Sequence, residues 1–411
     1  TTYSRDFSVK ELPHVKVMRR FQAWDELPVL PEGRIGIYVG SHTHFSEKQN
    51  RAIDRFCATY DAVVICDHTS GYYGKYKLLP TLVQLQSDIT SPFPPLDLMV
   101  HIGEISAASF NDTIPAKEVW RVSEDGELRD PFKKLTTVFQ MSEEMFFLHY
   151  GKDGCNRHVL IDECRELFGE IYEQIPELPF CNIWTAMQLS SRLPKGALFH
   201  MGVSNTRRCW NMFQLPESVE SACNVGCCGI DGCVSTLVGA SLVNPDRLCY
   251  VVVGDLTFFY DLNSLGNHHI GTNLRVMLVN NGRGTEFRLG IHHCNVFGDD
   301  ADKYMAAAGH FGNKSPLLVK HYAEDLGFHY LSATTKEEFM TALSNFTNPQ
   351  LSDHSMILEV FTDSKDESEA LYLMSHIQSD AKGMVRSKLK DAVRNVAGEK
   401  GINAIKKILK K

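Results

Sequence analysis

The chain has 411 residues, of which 43% are hydrophobic and 22% are charged, with 42 basic and 50 acidic side chains. This composition excludes disordered and collagen-like chains and predicts a globular protein of two or three domains. The net charge of −8 argues against general nucleic-acid binding, and no apolar run reaches the roughly 18–20 residues that a transmembrane helix needs.

The first part of the chain alternates apolar runs with helical patterns. Residues 1–33 contain scattered prolines and are interpreted as a linker. Apolar runs predict strands at 33–41, 61–67 and 96–104. Helical periodicity predicts helices at 46–60, near 76–86 and at 155–175. Strands that alternate with helices are typical of a parallel α/β domain, which we place at 34–175. Residues 67–71 follow one of its strands and are interpreted as structural.

The second part repeats this alternation and ends in a basic tail. Strands are predicted at 196–205, 247–259, 273–284 and 354–363, and helices at 183–193 and from Cys233 onward. These elements predict a second three-layer parallel α/β domain at 176–380. From Lys382 the chain has ten Lys or Arg and two Asp or Glu, a net charge of +8. This tail, 381–411, fits an amphipathic helix packed on the protein, or one that contacts an anionic surface.

Two polar residues stand where consecutive strands of the second domain end. Asp255 closes one apolar run, and Asn281 follows the next, 26 residues later. The carboxyl ends of parallel strands meet at the ligand crevice of a sheet. A carboxylate and an amide oxygen there suit Mg²⁺, which completes its coordination with phosphate oxygens and water. The glycine-rich segment from Gly226 to Gly232 leads into a helix, whose free N–H groups can bind phosphate.

These segments together resemble the thiamine-diphosphate (ThDP) enzymes. GDLTFFYDLNSL (254–265) and LVNNGRG (278–284) resemble the GD…NN signature of their diphosphate-binding domain. CNVGCCGIDGCVSTLVGA (223–240) and GVSNTRR (202–208) resemble segments of one branch, the SEPHCHC synthases of menaquinone biosynthesis. The resemblance implies a cytoplasmic ThDP- and Mg²⁺-dependent transferase or lyase. Such an enzyme decarboxylates a 2-oxo acid, here 2-oxoglutarate, and transfers the acyl unit to an acceptor.

The resemblance also implies roles for individual residues. The implied metal ligands are the side chains of Asp255 and Asn281 and the carbonyl of Arg283. The implied cofactor contacts are Gly229, Ile230, Asp231, Gly232, Gly254, Thr257, Asn280 and Phe287. The implied catalytic or substrate residues are Ser204, Arg208, Glu286 and His292, although His292 fits a surface position equally well.

Three positions depart from the pattern of the branch. Val225 replaces a substrate arginine, Val203 replaces an asparagine, and Glu286 replaces an apolar residue. Loss of a guanidinium removes a bidentate contact to a carboxylate. A buried Glu286 is expected to repel a substrate carboxylate. The departures therefore weaken the assignment of isochorismate as the acceptor.

The resemblance covers a middle domain and a diphosphate-binding domain, without the N-terminal pyrimidine-binding domain that supplies the activating glutamate. That domain is expected in the full-length protein or in a partner chain, within a homodimer or homotetramer. Two alternatives remain open. One is a related ThDP carboligase, similar to acetolactate synthase, with another donor and acceptor in polysaccharide or secondary metabolism. The other is a non-catalytic ThDP-fold subunit.

The cysteines are a separate question. The chain has twelve, in no regular spacing and with no signal-peptide pattern, which favours reduced thiols. Four of them lie between residues 223 and 233. Their spacing matches neither a CxxC zinc pair nor a ferredoxin run, so buried thiols are favoured over a metal site.

Overall fold

The computed structural model describes residues 17–89, 93–104, 114–226, 228–289, 292–304 and 315–379. These residues form two fully parallel sheets, of seven and six strands, and helices connect most of the strands. The prediction of two parallel-sheet α/β units is therefore confirmed. The predicted basic tail lies outside the described residues. None of the described helices is both long and apolar enough to cross a membrane.

The first sheet has the strand order β1-β7-β6-β5-β2-β3-β4. Its strands are β1 (Arg19–Gln22), β2 (Ile35–Val39), β3 (Val63–Cys66), β4 (Lys77–Leu78), β5 (Leu96–Ile102), β6 (Ala116–Ser123) and β7 (Leu135–Gln140). Its helices are α1 (Glu47–Tyr60), α2 (Thr81–Leu85), α3 (Glu143–Tyr150) and α4 (Val159–Glu173). Every residue of β2 and β3 is buried, as expected for strands covered on both faces.

The start of α1 shows how local sequence fixes an element. Ser46 and Gln49 form a reciprocal capping box, in which the Ser46 side chain accepts from the Gln49 N–H and the Gln49 side chain accepts from the Ser46 N–H. Ile53, Phe56 and Cys57 then form the buried face, at the spacing that predicted the helix.

The second sheet has the strand order β12-β13-β11-β10-β8-β9. Its strands are β8 (Leu198–Met201), β9 (Glu220–Cys223), β10 (Cys249–Gly254), β11 (Leu274–Asn280), β12 (His329–Ala333) and β13 (Met356–Phe361). Its helices are α5 (Asn182–Leu189), α6 (Asn205–Trp210), α7 (Cys233–Val243), α8 (Asp255–Asp261), α9 (Leu318–Asp325), α10 (Lys336–Phe346) and α11 (Ser364–Ser375). The chain runs outward from β8 to β9 and then in the opposite direction from β10 to β11. This reversal leaves a crevice between the carboxyl ends of β8 and β10.

The structure corrects two predicted elements. The helix predicted near 76–86 is a strand, β4, followed by the five-residue α2. Pro80 explains the late start, because the residue before a proline avoids the helical conformation. The strand predicted at 247–259 ends at Gly254, and a helix begins at Asp255. An apolar run alone does not mark this change.

A buried polar network joins the two sheets behind the crevice. The His68 N–H donates to Asn211 Oδ1 at 3.0 Å, and a ring nitrogen of His68 lies 2.9 Å from the Phe213 carbonyl. The Ser221 hydroxyl donates to the His68 carbonyl at 2.7 Å. Burial lowers the pKa of His68 to about 3, so the ring is neutral. Residues 67–71, interpreted as structural, thus lie at the junction of the two units.

A second contact joins the segment after α11 to the first unit. The buried Gln86 side chain donates to the Met374 carbonyl and accepts from the N–H groups of Ile377 and Gln378. The Ser87 N–H donates to the Ser375 carbonyl at 2.8 Å. The segment after α11 is therefore fixed against the turn that follows α2.

Candidate active site at the carboxyl edge of the second sheet

The two predicted metal ligands lie on neighbouring strand ends. Gly254, the last residue of β10, pairs with Val279 of β11. Asp255 therefore leaves β10 beside the point where Asn281 leaves β11. This edge adjoins the reversal of strand order, where parallel α/β sheets bind their ligands.

The donor chemistry here fits a hard divalent cation. The Asp255 side chain is 2% exposed, and its Oδ1 accepts the Leu256 N–H at 2.7 Å. The side-chain oxygen of Asn281 is buried without a hydrogen-bond partner among the described residues. Buried polar atoms normally have partners, so this oxygen calls for a ligand. The Arg283 carbonyl accepts the Thr285 N–H at 2.9 Å, and a carbonyl oxygen has two lone pairs. Carboxylate, amide and carbonyl oxygens together match the preference of Mg²⁺.

Gly254 leaves room in front of these oxygens. A Cβ built on Gly254 would have no atom within 4 Å. Its φ of −77° is one that any residue adopts, so conformation does not require a glycine there. The open space is where a ligand would approach the end of β10 most closely.

The glycine-rich segment turns into α7 at Gly232, whose φ of 70° belongs to the left-handed region. The Asn224 side chain donates to the Gly232 carbonyl at 3.2 Å. Asp261 of α8 accepts the Ser235 N–H of α7 at 2.6 Å. The start of α7 is thus tied to the helix that carries Asp255, and its dipole favours an anion at this end.

Other predicted cofactor residues surround the same edge. Thr257 is buried in the first turn of α8, while Gly229 and Ile230 are half-buried and Asp231 is exposed. The Asn280 amide donates to Glu359 of β13 at 2.7 Å. Glu359 also accepts the Tyr330 hydroxyl. The hydrogen bond from Asn280 to Glu359 therefore fixes the end of β11 against the neighbouring strand β13.

The predicted substrate residues Arg208 and Glu286 contact each other. The two terminal nitrogens of Arg208 donate to the two oxygens of Glu286 at 2.9 and 2.6 Å. Both side chains are about one-fifth exposed. Burial opposes the charge of Arg208, but the hydrogen bonds and charge of Glu286 prevail and raise the pKa of the guanidinium. Glu286 was expected to repel a substrate carboxylate. In the structure it forms an ion pair with Arg208, the residue that was expected to bind such a carboxylate.

Ser204 lies at the start of α6 with φ 60° and ψ −123°, a region that L-residues rarely occupy. Its carbonyl accepts the Arg208 N–H at 3.1 Å. Backbone strain of this kind is often found at functional sites. The neighbouring Val203, which departs from the SEPHCHC-synthase pattern, is buried.

His292 and Phe287 form an edge-to-face ring pair with centroids 5.1 Å apart. The Cys294 N–H donates to His292 Nδ1 at 3.1 Å. Both rings belong to the segment that follows β11.

A second cavity, of about 750 Å³, opens at the carboxyl edge of the first sheet. The loops after β2, β5, β6 and β7 line it, with acidic side chains that include Glu104 and Glu143. Val225 and Gly226, from the start of the glycine-rich segment, also line it. Val225, expected near the substrate, therefore faces the first unit.

The clustered cysteines agree only in part with the interpretation as buried thiols, because Cys233 is buried, Cys223 is half-buried and Cys228 is exposed. Those that the structure describes are free, and burial raises the pKa of Cys223 to about 12 and that of Cys233 to about 11. Neither favours the thiolate that a zinc or iron–sulfur site requires. Among the described residues, no three His, Cys, Asp or Glu side chains are placed to hold one metal ion between them. Cys227 lies outside the described residues.

Sequence reasoning missed the residues that support the site. Three side chains form hydrogen bonds that fix a predicted site residue or its helix, namely those of Asp261, Asn224 and Glu359. The sequence alone offered little signal for them, because their partners lie 8 to 79 residues away along the chain.

Comparison with characterised proteins places this geometry in context. No family model matches the chain. A 2-succinyl-5-enolpyruvyl-6-hydroxy-3-cyclohexene-1-carboxylate (SEPHCHC) synthase of Bacteroides thetaiotaomicron is 27% identical over 392 residues, which cover 89% of this chain and 66% of the relative. The chain resembles the SEPHCHC synthases. The synthase of Bacteroides fragilis is 33% identical over 62% of the chain, and that of Phocaeicola vulgatus is 32% identical over 62%. These matches span 45% and 44% of the two relatives, so the chain spans about half the length of these two synthases.

Proposed function

We propose that this chain carries the cofactor-binding part of a ThDP- and Mg²⁺-dependent 2-oxo acid decarboxylase or carboligase related to the SEPHCHC synthases. The observation that carries the proposal is the pairing of Asp255 with Asn281 on adjacent strand ends. There a buried amide oxygen lacks a partner among the described residues. The similarity to SEPHCHC synthases over 89% of the chain supports it.

The residues of this chain would share the work as follows. Asp255, Asn281 and the Arg283 carbonyl would hold Mg²⁺. The N-terminal turn of α7 and the open space at Gly254 would receive the diphosphate, and Thr257 would contact it. Ile230 would support the bent cofactor, and Phe287 would lie beside it. When bound, ThDP supplies the electron sink that permits loss of CO₂ from a 2-oxo acid.

The proposal extends to the organisation of the protein. Residues 34–175 would be the middle domain and 176–380 the diphosphate-binding domain, between an entry segment at 1–33, whose β1 pairs with β7 of the first sheet, and a basic tail at 381–411. The aminopyrimidine would be held by a further domain of the full-length protein or by a partner chain. The complete enzyme would be a homodimer or homotetramer.

The test is Asp255→Ala in the full-length protein. Removal of a metal ligand should weaken Mg²⁺-dependent ThDP binding by about 100-fold or more, because even outer-shell changes cost 10- to 100-fold. Calorimetric titration with ThDP, in Mg²⁺ and in EDTA, measures the loss. Asp246→Ala is the matched control, because Asp246 is exposed at the opposite end of β10. Its ThDP affinity should stay within about twofold of the wild type.

Two results would contradict the proposal. Unchanged ThDP binding by Asp255→Ala in Mg²⁺ would remove Asp255 from the metal site. Absence of ThDP binding by the wild-type protein would favour a non-catalytic subunit. Asp255→Asn, which preserves the shape of the side chain, separates loss of the metal ligand from loss of the fold.

A further inference from the structure

The Arg208–Glu286 pair spans the crevice in front of β10. Arg208 lies on α6, the first helix after β8, and Glu286 lies in the turn after β11. β10 lies between those two strands and ends at Gly254. The pair therefore joins the two sides of the reversal, next to the site proposed for the cofactor.

The contact has the geometry with which an arginine binds a carboxylate ligand. Two parallel N–H···O bonds, of 2.9 and 2.6 Å, join the guanidinium to both carboxylate oxygens. Arg208 also lies 3.4 Å from the Asn205 side-chain oxygen. Glu286 thus occupies the guanidinium face in the way that a substrate carboxylate would.

We propose that Glu286 determines donor specificity: it occupies Arg208 and excludes a second carboxylate, so the crevice selects a 2-oxo acid with an uncharged side chain. A dicarboxylic donor would have to displace Glu286 and leave its charge half-buried and unpaired, which is costly. A monocarboxylic donor would leave the pair intact. This inference rests on the proposed function, since it assigns a substrate class to the same crevice.

Two acids of equal chain length test it, 2-oxovalerate and 2-oxoglutarate, which differ by a terminal carboxylate. Binding to the full-length protein is measured by equilibrium dialysis without ThDP. Wild type should bind 2-oxovalerate more tightly than 2-oxoglutarate. Glu286→Gln keeps a hydrogen-bond acceptor for Arg208 and removes the charge. It should tighten 2-oxoglutarate binding by about tenfold or more, the lower range for a hydrogen bond to a charged group. 2-Oxovalerate should change by less than about threefold.

Glu220→Gln is the matched control. Glu220 accepts from Arg247 at 2.9 Å, in a similar pair at the amino end of the same sheet. This variant should leave the affinities for both acids unchanged. A thermal melt checks that each variant is folded.

Several outcomes overturn the inference. They are a wild-type preference for 2-oxoglutarate, equal effects of Glu286→Gln on both acids, and no binding of either acid to either protein. The wild-type preference tests the idea even if Glu286→Gln does not fold. The proposed function is judged separately, by ThDP binding. If Glu286→Gln selectively tightens 2-oxoglutarate binding while ThDP does not bind, the crevice is a carboxylate-selective site without the proposed chemistry.

Discussion

At the scale of single residues, Gly254 is informative because its side-chain position is open. Substitution to alanine would place a methyl group in the space proposed for the cofactor. The backbone conformation there suits alanine, so the free energy of unfolding should stay the same or rise by roughly 0.4–1 kcal/mol. ThDP affinity should fall by about tenfold or more, because the backbone no longer approaches the ligand closely. Calorimetric titration and thermal melts of Gly254→Ala check both quantities.

Gly239→Ala provides the control for this change. Gly239 is exposed in the middle of α7, with no atom within 4 Å of a built Cβ. Alanine in a helix is favoured by about 1 kcal/mol over glycine, so this variant should be more stable and bind ThDP normally. Equal ThDP affinities for the two variants would mean that the space at Gly254 is not used.

The residues differ in how well the sequence could predict them. Asp255 and Asn281 were predictable, because a polar residue directly after a buried strand lies at the ligand edge of a parallel sheet. The contact of Arg208 with Glu286 was not, because 78 residues separate them and only the strand order brings them together. The sequence identified Glu286 as a departure from the pattern of the branch. Only the structure shows that Glu286 pairs with Arg208, so that its negative charge is balanced by a guanidinium.

At the scale of elements, Glu367 fixes α11 to α5. Its side chain accepts from the Asn182 N–H at 2.9 Å and from the Thr362 hydroxyl at 3.0 Å. Burial raises the pKa of Glu367 to about 7. The folded state therefore keeps a proton that the unfolded state loses near pH 4.5. This contribution to stability is fully present below pH 4.5 and is lost as the pH rises to about 7.

Glu367→Gln should remove this pH dependence, because a glutamine does not titrate. Relative to wild type, its free energy of unfolding should rise by about 3 kcal/mol between pH 4.5 and 7.5, at 1.36 kcal/mol per pKa unit. Urea titrations at a series of pH values provide the measurement. Glu337→Gln, an exposed change on α10, should give the wild-type profile. Parallel profiles for Glu367→Gln and wild type would show that Glu367 is ionised in the folded protein at neutral pH.

The elements were predicted best where the pattern was long and bounded by clear caps. α1 was predicted from its apolar period, and the Ser46 cap that the structure shows agrees with that period. β1, β9 and β12 were not predicted, since strands of four or five residues at a sheet edge carry little apolar signal. β6 and β7 lie inside the first sheet and were not predicted either, because polar residues interrupt their apolar positions. The strand order, and with it the crevice, does not follow from local patterns.

At the scale of the whole molecule, the two units share a buried junction and should unfold together. Asn211 contributes two contacts, accepting from the His68 N–H and donating to Asp67 at 3.4 Å. Asn211→Ala leaves the buried His68 N–H without its partner, which should cost about 1–3 kcal/mol. Urea unfolding followed by tryptophan fluorescence and by circular dichroism measures this loss.

The same titrations test the cooperativity of the molecule. Both probes should give one coincident transition in the wild type, shifted to lower urea in Asn211→Ala. Asn348→Ala, an exposed change after α10, should leave the midpoint in place. Two separated transitions in the wild type would mean that the junction does not couple the units.

The contact of Gln86 with the segment after α11 bears on biosynthesis. Its partners at residues 377 and 378 lie 291 and 292 positions later. At about 5–20 residues per second, the ribosome needs roughly 15–60 s to make that stretch. During that time the Gln86 side chain lacks the backbone groups of Met374, Ile377 and Gln378, with which it forms hydrogen bonds in the folded protein. The first unit therefore forms this contact only after α11 of the second unit has been synthesised, although its own strands and helices are made first.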